Sequence, residues 1–207
     1  MTLPLASAVR STHLPTLTGT GEDTAITTMI ARADAMLAAW CGFPPASASA
    51  SPTLESTTYT EYLDGPSALD PRALLLPVRP VASITTIHDD RDNDWTYGSA
   101  DLVSSGDYVL DGRTGRVHLI DTATHGGWSA RKRAIKVVFV AGYDTGAHKI
   151  VAEAISIMVA HWWSQRNGQG KASTTAGGQS VTARPETIPD RVREMMAPLR
   201  LLEVGCG

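Results

Sequence analysis

The sequence predicts an α+β protein, with N- and C-terminal helices forming a small helical bundle and an antiparallel β-sandwich or barrel-like region inserted between them. Three observations carry this expectation. Apolar residues recur at three- and four-residue spacing near the start of the chain, the mark of one helical face. Short runs rich in Val, Ile, Thr and Tyr, separated by Gly, Pro, Asp and Asn, fill the middle. A strongly apolar helical pattern returns towards the end. The domain expectation is 1–43 for the N-terminal helical part, 55–145 for the β-rich insert, 146–200 for the helices completing the bundle, and 201–207 for a tail.

The first helix is announced by Gly21-Glu22-Asp23-Thr24, a capping and acidic first-turn set suited to free amides and the positive end of the helix dipole. Ile26, Met29, Ile30, Ala33, Leu37, Trp40 and Cys41 then mark one apolar face. Gly42 serves as the stop, with Pro44 and Pro45 preventing continuation. A weaker pattern from Leu3 to Leu14 predicts a short helix before it. Residues 44–55 are small, polar and proline-rich, and read as a linker. Strands are expected at Thr57–Leu63, Val81–His88, Tyr108–Leu110, Arg116–Ile120 and Ala134–Ala141. Asp111-Gly112-Arg113-Thr114-Gly115 reads as a hairpin connection.

From Lys149 to about Arg166 the polar positions shrink to a narrow stripe, so this helix must be covered on several sides. Ile155, Met158, Trp162 and Trp163 are its core or subunit-interface candidates. Residues 167–184 are Gly/Ser/Thr-rich and read as a mobile loop. Ile188-Pro189-Asp190 opens a last short helix with Val192, Met195, Met196 and Leu199 on its apolar face, and Pro198 ends it.

Bulk properties narrow the function. The chain has 207 residues, 43% hydrophobic and 19% charged, as in ordinary globular proteins. A net charge of -3 argues against nucleic-acid binding driven by bulk charge. Cys41 and Cys206 do not read as a disulfide framework. The opening residues lack a basic flank and a long apolar run, so no signal peptide is expected, and no stretch reaches the roughly 18 apolar residues of a membrane span. The expectation is a soluble intracellular domain.

Catalytic and metal patterns are mostly missing. Asp90, Asp92 and Asp94 match the opening of a calcium loop, where clustered oxygens replace the ion's water shell. The pattern then fails, since Trp95 stands where Gly is needed and Leu102 where Glu is needed. The stretch from His88 to Asp94 therefore reads as a solvated acidic hairpin tip. His161 has no second His at four-residue spacing, and the remaining histidines are scattered. There is no Gly-x-Ser-x-Gly elbow, and Gly168-Gln169-Gly170-Lys171 follows a helix and lacks the phosphate-loop spacing. No catalytic residue, metal site or cofactor is expected. Between Glu153 and Glu186 no acidic residue interrupts Arg166, Lys171 and Arg184, so this loop could lie near phosphates. Arg131-Lys132-Arg133 is similar. Trp95 and Trp128, both between elements, are candidates for partner contact.

Taken in order, GEDTAITTMIARADAMLAAWCG, YTEYLDG with LLLPVRPVASITTIHDD, YVLDGRTGRVHLI with IKVVFVAGYD, IVAEAISIMVAHWWSQR and IPDRVREMMAPLR resemble the head–tail connector (adaptor) family of tailed bacteriophages and gene transfer agents. The resemblance spans about residues 20–200. It implies a structural, non-enzymatic protein of the virion neck, assembled in the host cytoplasm. Its expected form is a homo-oligomeric ring, typically of twelve copies, docked on the portal protein. Such a ring extends the channel for double-stranded DNA and receives a stopper or tail-completion protein, with no membrane involved. It further implies a portal-binding C-terminal segment, here Pro198, Leu199, Arg200, Leu201, Leu202 and Val204. Arg166, Lys171 and Arg184 would then face the channel, and Asp90, Asp92, Asp94 and Trp95 the next ring. The alternative is a small binding module using residues 89–94 for a metal or other ligand.

Overall fold

The computed structural model describes residues 3–66, 70–120, 123, 126–144, 148–166, 173–176, 179–182 and 188–201. The chain divides into two compact units. Unit 1 joins residues 1–42 to 145–202, so its two halves are far apart in sequence. Unit 2 contains residues 43–144.

Unit 1 holds four helices: α1 (Ala6–His13), α2 (Asp23–Cys41), α3 (Lys149–Gln165) and α4 (Asp190–Met196). The α2 and α3 helices pack on each other, α1 lies against both, and α4 packs on α3. The expected face of α2 is the one that is used, with Ile26, Ile30, Ala33, Leu37 and Cys41 all buried. Each buried Ile or Leu among them contributes about 1.5–3 kcal/mol of transfer free energy. The cap differs from expectation. Glu22 occupies the N-cap position without a side-chain cap bond, and the Asp23 carboxylate instead pairs with Arg10 of α1. At the other end Gly42 adopts φ 88°, where its lack of a Cβ ends the helix without strain. In α3 the buried set is Val151, Ala154, Ile155, Ser156, Met158, Val159 and Trp163. The Ser156 hydroxyl is satisfied by the Ala152 carbonyl at 2.7 Å. The segment expected to be a loop contains two short strands, β7 (Ser173–Ala176) and β8 (Gln179–Thr182), which pair antiparallel and, among the described residues, with no other strand.

Unit 2 contains two three-stranded antiparallel sheets; the described residues form no closed barrel. The first has the order β1-β6-β3, from Thr57–Leu63, Ile135–Ala141 and Val81–Asp89. The second is β2-β5-β4, from Ala73–Leu75, Arg116–Leu119 and Tyr108–Asp111. Alternation works as expected in β6, whose Ile135, Val137, Phe139 and Ala141 are buried while Lys136, Val138 and Val140 are partly exposed. Tyr59 stacks on Phe139 across the β1–β6 pair, with ring centroids 5.8 Å apart. The β4–β5 turn is held by Asp111, whose carboxylate accepts from the Arg113 amide at 3.1 Å and the Thr114 hydroxyl at 2.7 Å. Gly142, after β6, has φ 117°, and an added Cβ would lie 2.6 Å from the Glu55 carbonyl oxygen. Only glycine fits there.

Candidate assembly surfaces

The C-terminal segment is tied to the end of α2. After α4 a short 3-10 turn (Ala197–Leu199) leads to Arg200, whose guanidinium lies 5.0 Å from the centre of the Trp40 ring. The Leu201 amide donates to the Cys41 carbonyl at 2.8 Å, capping the end of α2. Pro198 and Arg200 are exposed, whereas Leu199 and Leu201 are half-buried. Leu202 and Val204 lie outside the described residues. Beneath this junction burial pushes the Cys41 thiol up to about 11, with Arg200 acting in the opposite direction.

The α3 candidates separate into core and periphery. Ile155 and Met158 are fully buried and Trp163 nearly so, which makes them core of unit 1. Trp162 is only half-buried, with the Arg32 guanidinium 5.4 Å from its ring centre. Arg166 is not a free cation, because it sits 3.9 Å from the Trp163 ring centre and 3.9 Å from a Glu22 carboxylate oxygen. Lys171 and Arg184 lie outside the described residues. Leu5 and Ile150 are exposed large apolar side chains. Between α1 and α3 opens a groove of about 490 Å³, and on its wall His13 meets Glu153 at 3.2 Å. Sequence reasoning passed over that pair because 140 positions separate its members. His161 accompanies the Gln165 amide at 3.0 Å.

The acidic tip is less solvated than its composition implies. Asp89 and Asp90 are 2% and 3% exposed. Asp89 pairs with Arg91 at 2.6 Å and accepts the Ser129 amide at 3.3 Å. The Asp90 carboxylate accepts the amides of Asn93 (2.7 Å) and Trp95 (3.3 Å), and its carbonyl is bonded by Arg131. Asn93 and Trp95 have φ 66° and 62°, a left-handed backbone that a bulky residue such as Trp rarely adopts. Asp90 is therefore the internal brace of this turn rather than a surface group. Asp92, Asp94 and Trp95 are exposed. One oxygen from each of Asp90, Asp92 and Asp94 falls within 4.8 Å of the others. Hydrogen bonding to Thr96 holds the Asp94 carboxyl below its ordinary range, whereas sharing a hydrogen bond with Asp90 raises that of Asp92. Trp128, expected at the surface, is buried in unit 2 and donates its indole N–H to the Arg72 carbonyl at 2.9 Å.

A further cluster lies at the end of the first sheet. Tyr62 and Tyr97 have ring centres 5.2 Å apart, and the Arg133 guanidinium and Lys136 ammonium lie 5.1 and 6.0 Å from the Tyr62 ring. Arg133 has φ 53°, held by an Asp64 carboxylate on its amide (2.8 Å) and the Tyr97 hydroxyl on its carbonyl (2.6 Å).

These surfaces offer packing, aromatic faces and paired charges. No helix among the described residues is long and apolar enough to cross a membrane. The fold is similar to two solved chains. One comes from the neck of an empty GTA particle computed with C6 symmetry, at 18% identity and TM-score 0.56, covering 98% of this chain and 91% of that one. The other comes from the neck of a native GTA particle computed with C12 symmetry, at 15% identity and TM-score 0.52, covering 100% and 96%. Among curated proteins nothing matches. The model of the head completion protein family matches residues 8–202, nearly the whole sequence, and the chain belongs to that family.

Proposed function

We propose that this head-completion protein acts in the virion neck as a structural, non-catalytic adaptor. Copies assemble into a ring on the portal vertex, extend the channel for double-stranded DNA, and present a platform to the stopper or tail proteins. The family match over residues 8–202 carries this reading. The likeness to neck chains of GTA particles, solved with sixfold and twelvefold symmetry, supports the ring.

Residues 198–207 are the proposed portal-facing segment. Arg200 and Leu201, at the start of that segment, are fastened to α2. Asp92, Asp94 and Trp95 are the exposed groups available to a following ring, with Asp90 supporting them from inside. Lys171 and Arg184 remain proposed channel-facing cations. Arg166 is a weaker candidate for that role because Trp163 and Glu22 already engage it. Repetition around a ring lets each contact be modest, since multivalency raises the overall affinity.

The test is mass photometry of the purified protein alone and mixed with its cognate portal. A ring-sized complex with the portal, lost on deleting residues 198–207, is the expected result. Docking that survives the deletion moves the portal contact elsewhere. No association with the portal overturns the adaptor reading.

A further inference from the structure

The two edges of the β1-β6-β3 sheet are treated differently. The β3 edge is obstructed. The Val81 amide bonds the Gly112 carbonyl, the Val103 amide bonds the Ile87 carbonyl, and two register shifts break the strand at Val81/Ser83 and Ile84/Thr86. Bulges and covering loops of this kind are how edge strands avoid pairing with other chains. Among the described residues the β1 edge carries no such device. It runs from Thr57 to Leu63 in unbroken register with β6, without proline or lysine.

The hydrogen-bond alternation identifies which groups that edge presents. Asp90 donates to the Ala134 carbonyl and Gly142 to the Pro80 carbonyl, so the even-numbered residues of β6 face β3. The odd-numbered ones therefore bond β1 through Thr57, Tyr59, Glu61 and Leu63. This leaves the backbone N–H and C=O of Thr58, Thr60 and Tyr62 directed away from the sheet. The side chains of these three residues are exposed as well. Thr and Tyr in a row suit cross-strand pairing with another β-forming segment.

The same chain contains a second incomplete sheet. Among the described residues strands β7 and β8 pair only with each other, and a two-stranded sheet is marginal in water. Its sequence, Ser173-Thr174-Thr175-Ala176 and Gln179-Ser180-Val181-Thr182, has no charge to oppose strand pairing. Within one copy the two ladders remain separate sheets. We propose that the β1 edge of one copy receives the β7–β8 hairpin of a second copy as added strands. Donor and acceptor edges differ, so the contact is heterologous and repeats head to tail, closing into a ring when the rotation permits. This deepens the ring reading given above and rests on it for closure.

The experiment uses the full chain in sedimentation velocity across a concentration series reaching millimolar. Thr60→Pro removes an edge-facing N–H while leaving the β6 ladder its bonds, which an edge strand tolerates, and is expected to weaken self-association by roughly tenfold or more. Thr58→Lys with Thr60→Lys repeats the block by charge, in case proline disturbs the strand. Replacing residues 171–184 by a Gly-Ser linker removes the donor. Each variant alone is expected to show this same weakening and to stay monomeric at concentrations where the wild type has just assembled. Thr60→Pro mixed with the hairpin-less chain is expected to give heterodimers and nothing larger, because one productive contact survives. A wild-type chain that never self-associates overturns the proposal, as do edge variants that assemble like wild type. Portal docking unaffected by the edge variants overturns it while leaving the neck reading intact. Self-association lost in the edge variants, with no portal docking at all, does the reverse.

Discussion

The turn at Asp90 offers the sharpest test of what the acidic residues do. In Asp90→Ala two amides, those of Asn93 and Trp95, lose their acceptor, and Arg131 loses a nearby carboxylate 4.0 Å away. Each lost cap-like bond costs about 1 kcal/mol, so the substitution should destabilise the protein by about 2 kcal/mol. For a chain of this length that corresponds to a fall in Tm of about 4–8 °C. Asp90→Asn keeps one carbonyl acceptor and should lose about half as much. The assay is differential scanning calorimetry of wild type and both variants, with and without millimolar calcium. An Asp90→Ala chain melting within about 1 °C of wild type would refute the brace. So would a calcium-induced rise in wild-type Tm that Asp90→Ala abolishes, since the carboxylates would then be ligands.

Three other outcomes follow from the packing. The folded state holds the Cys41 proton up to about pH 11, whereas the unfolded thiol releases it near 9.0. This contribution is complete below pH 9 and is lost as pH rises towards 11, so urea midpoints of wild type should fall more steeply over that interval than those of Cys41→Ala. Gly142→Ala places a Cβ 2.6 Å from the Glu55 carbonyl at φ 117° and should cost about 3 kcal/mol or more, read by chemical denaturation. Arg200→Ala removes the exposed cation–π contact with Trp40 and should cost about 0.5–1 kcal/mol, with a change in tryptophan emission as the local reporter.

Much of this fold was readable from periodicity. The α2 face, the Gly42 stop and the alternation of β6 each follow from local chemistry that tertiary structure reinforces. Strand β2 escaped because three residues beside prolines carry no period. The β7–β8 hairpin escaped because composition spoke for a mobile loop, although two β-capable runs flank a Gly-Gly pair, which is itself a hairpin signal. The acidic tip misled for a different reason. Asp89 and Asp90 have local partners in Arg91, Asn93 and Trp95, but they are also tied to Ser129 and Arg131, about 40 positions away, and no local pattern encodes those remote partners. Trp128 is buried by the same kind of remote pairing, through the Arg72 carbonyl. The proposed assembly residues rest on a resemblance alone, since a docking surface requires no special spacing.

The insertion of unit 2 between the two halves of unit 1 has a consequence for how the chain folds. Helix α2 cannot bury its face until α3 has been synthesised, a whole β unit later. Yet unit 2 returns its chain to where it entered. The Ser56 and Tyr143 amides bond the Tyr143 and Leu54 carbonyls, and the rings of Phe43 and Tyr143 lie 6.0 Å apart. Once the β unit has formed, the gap that α2 and α3 must close is only a few residues, which removes about 3 kcal/mol of loop-closure entropy. During translation the inserted unit should therefore act as a clasp that completes first and presents the awaiting helix to its late partner.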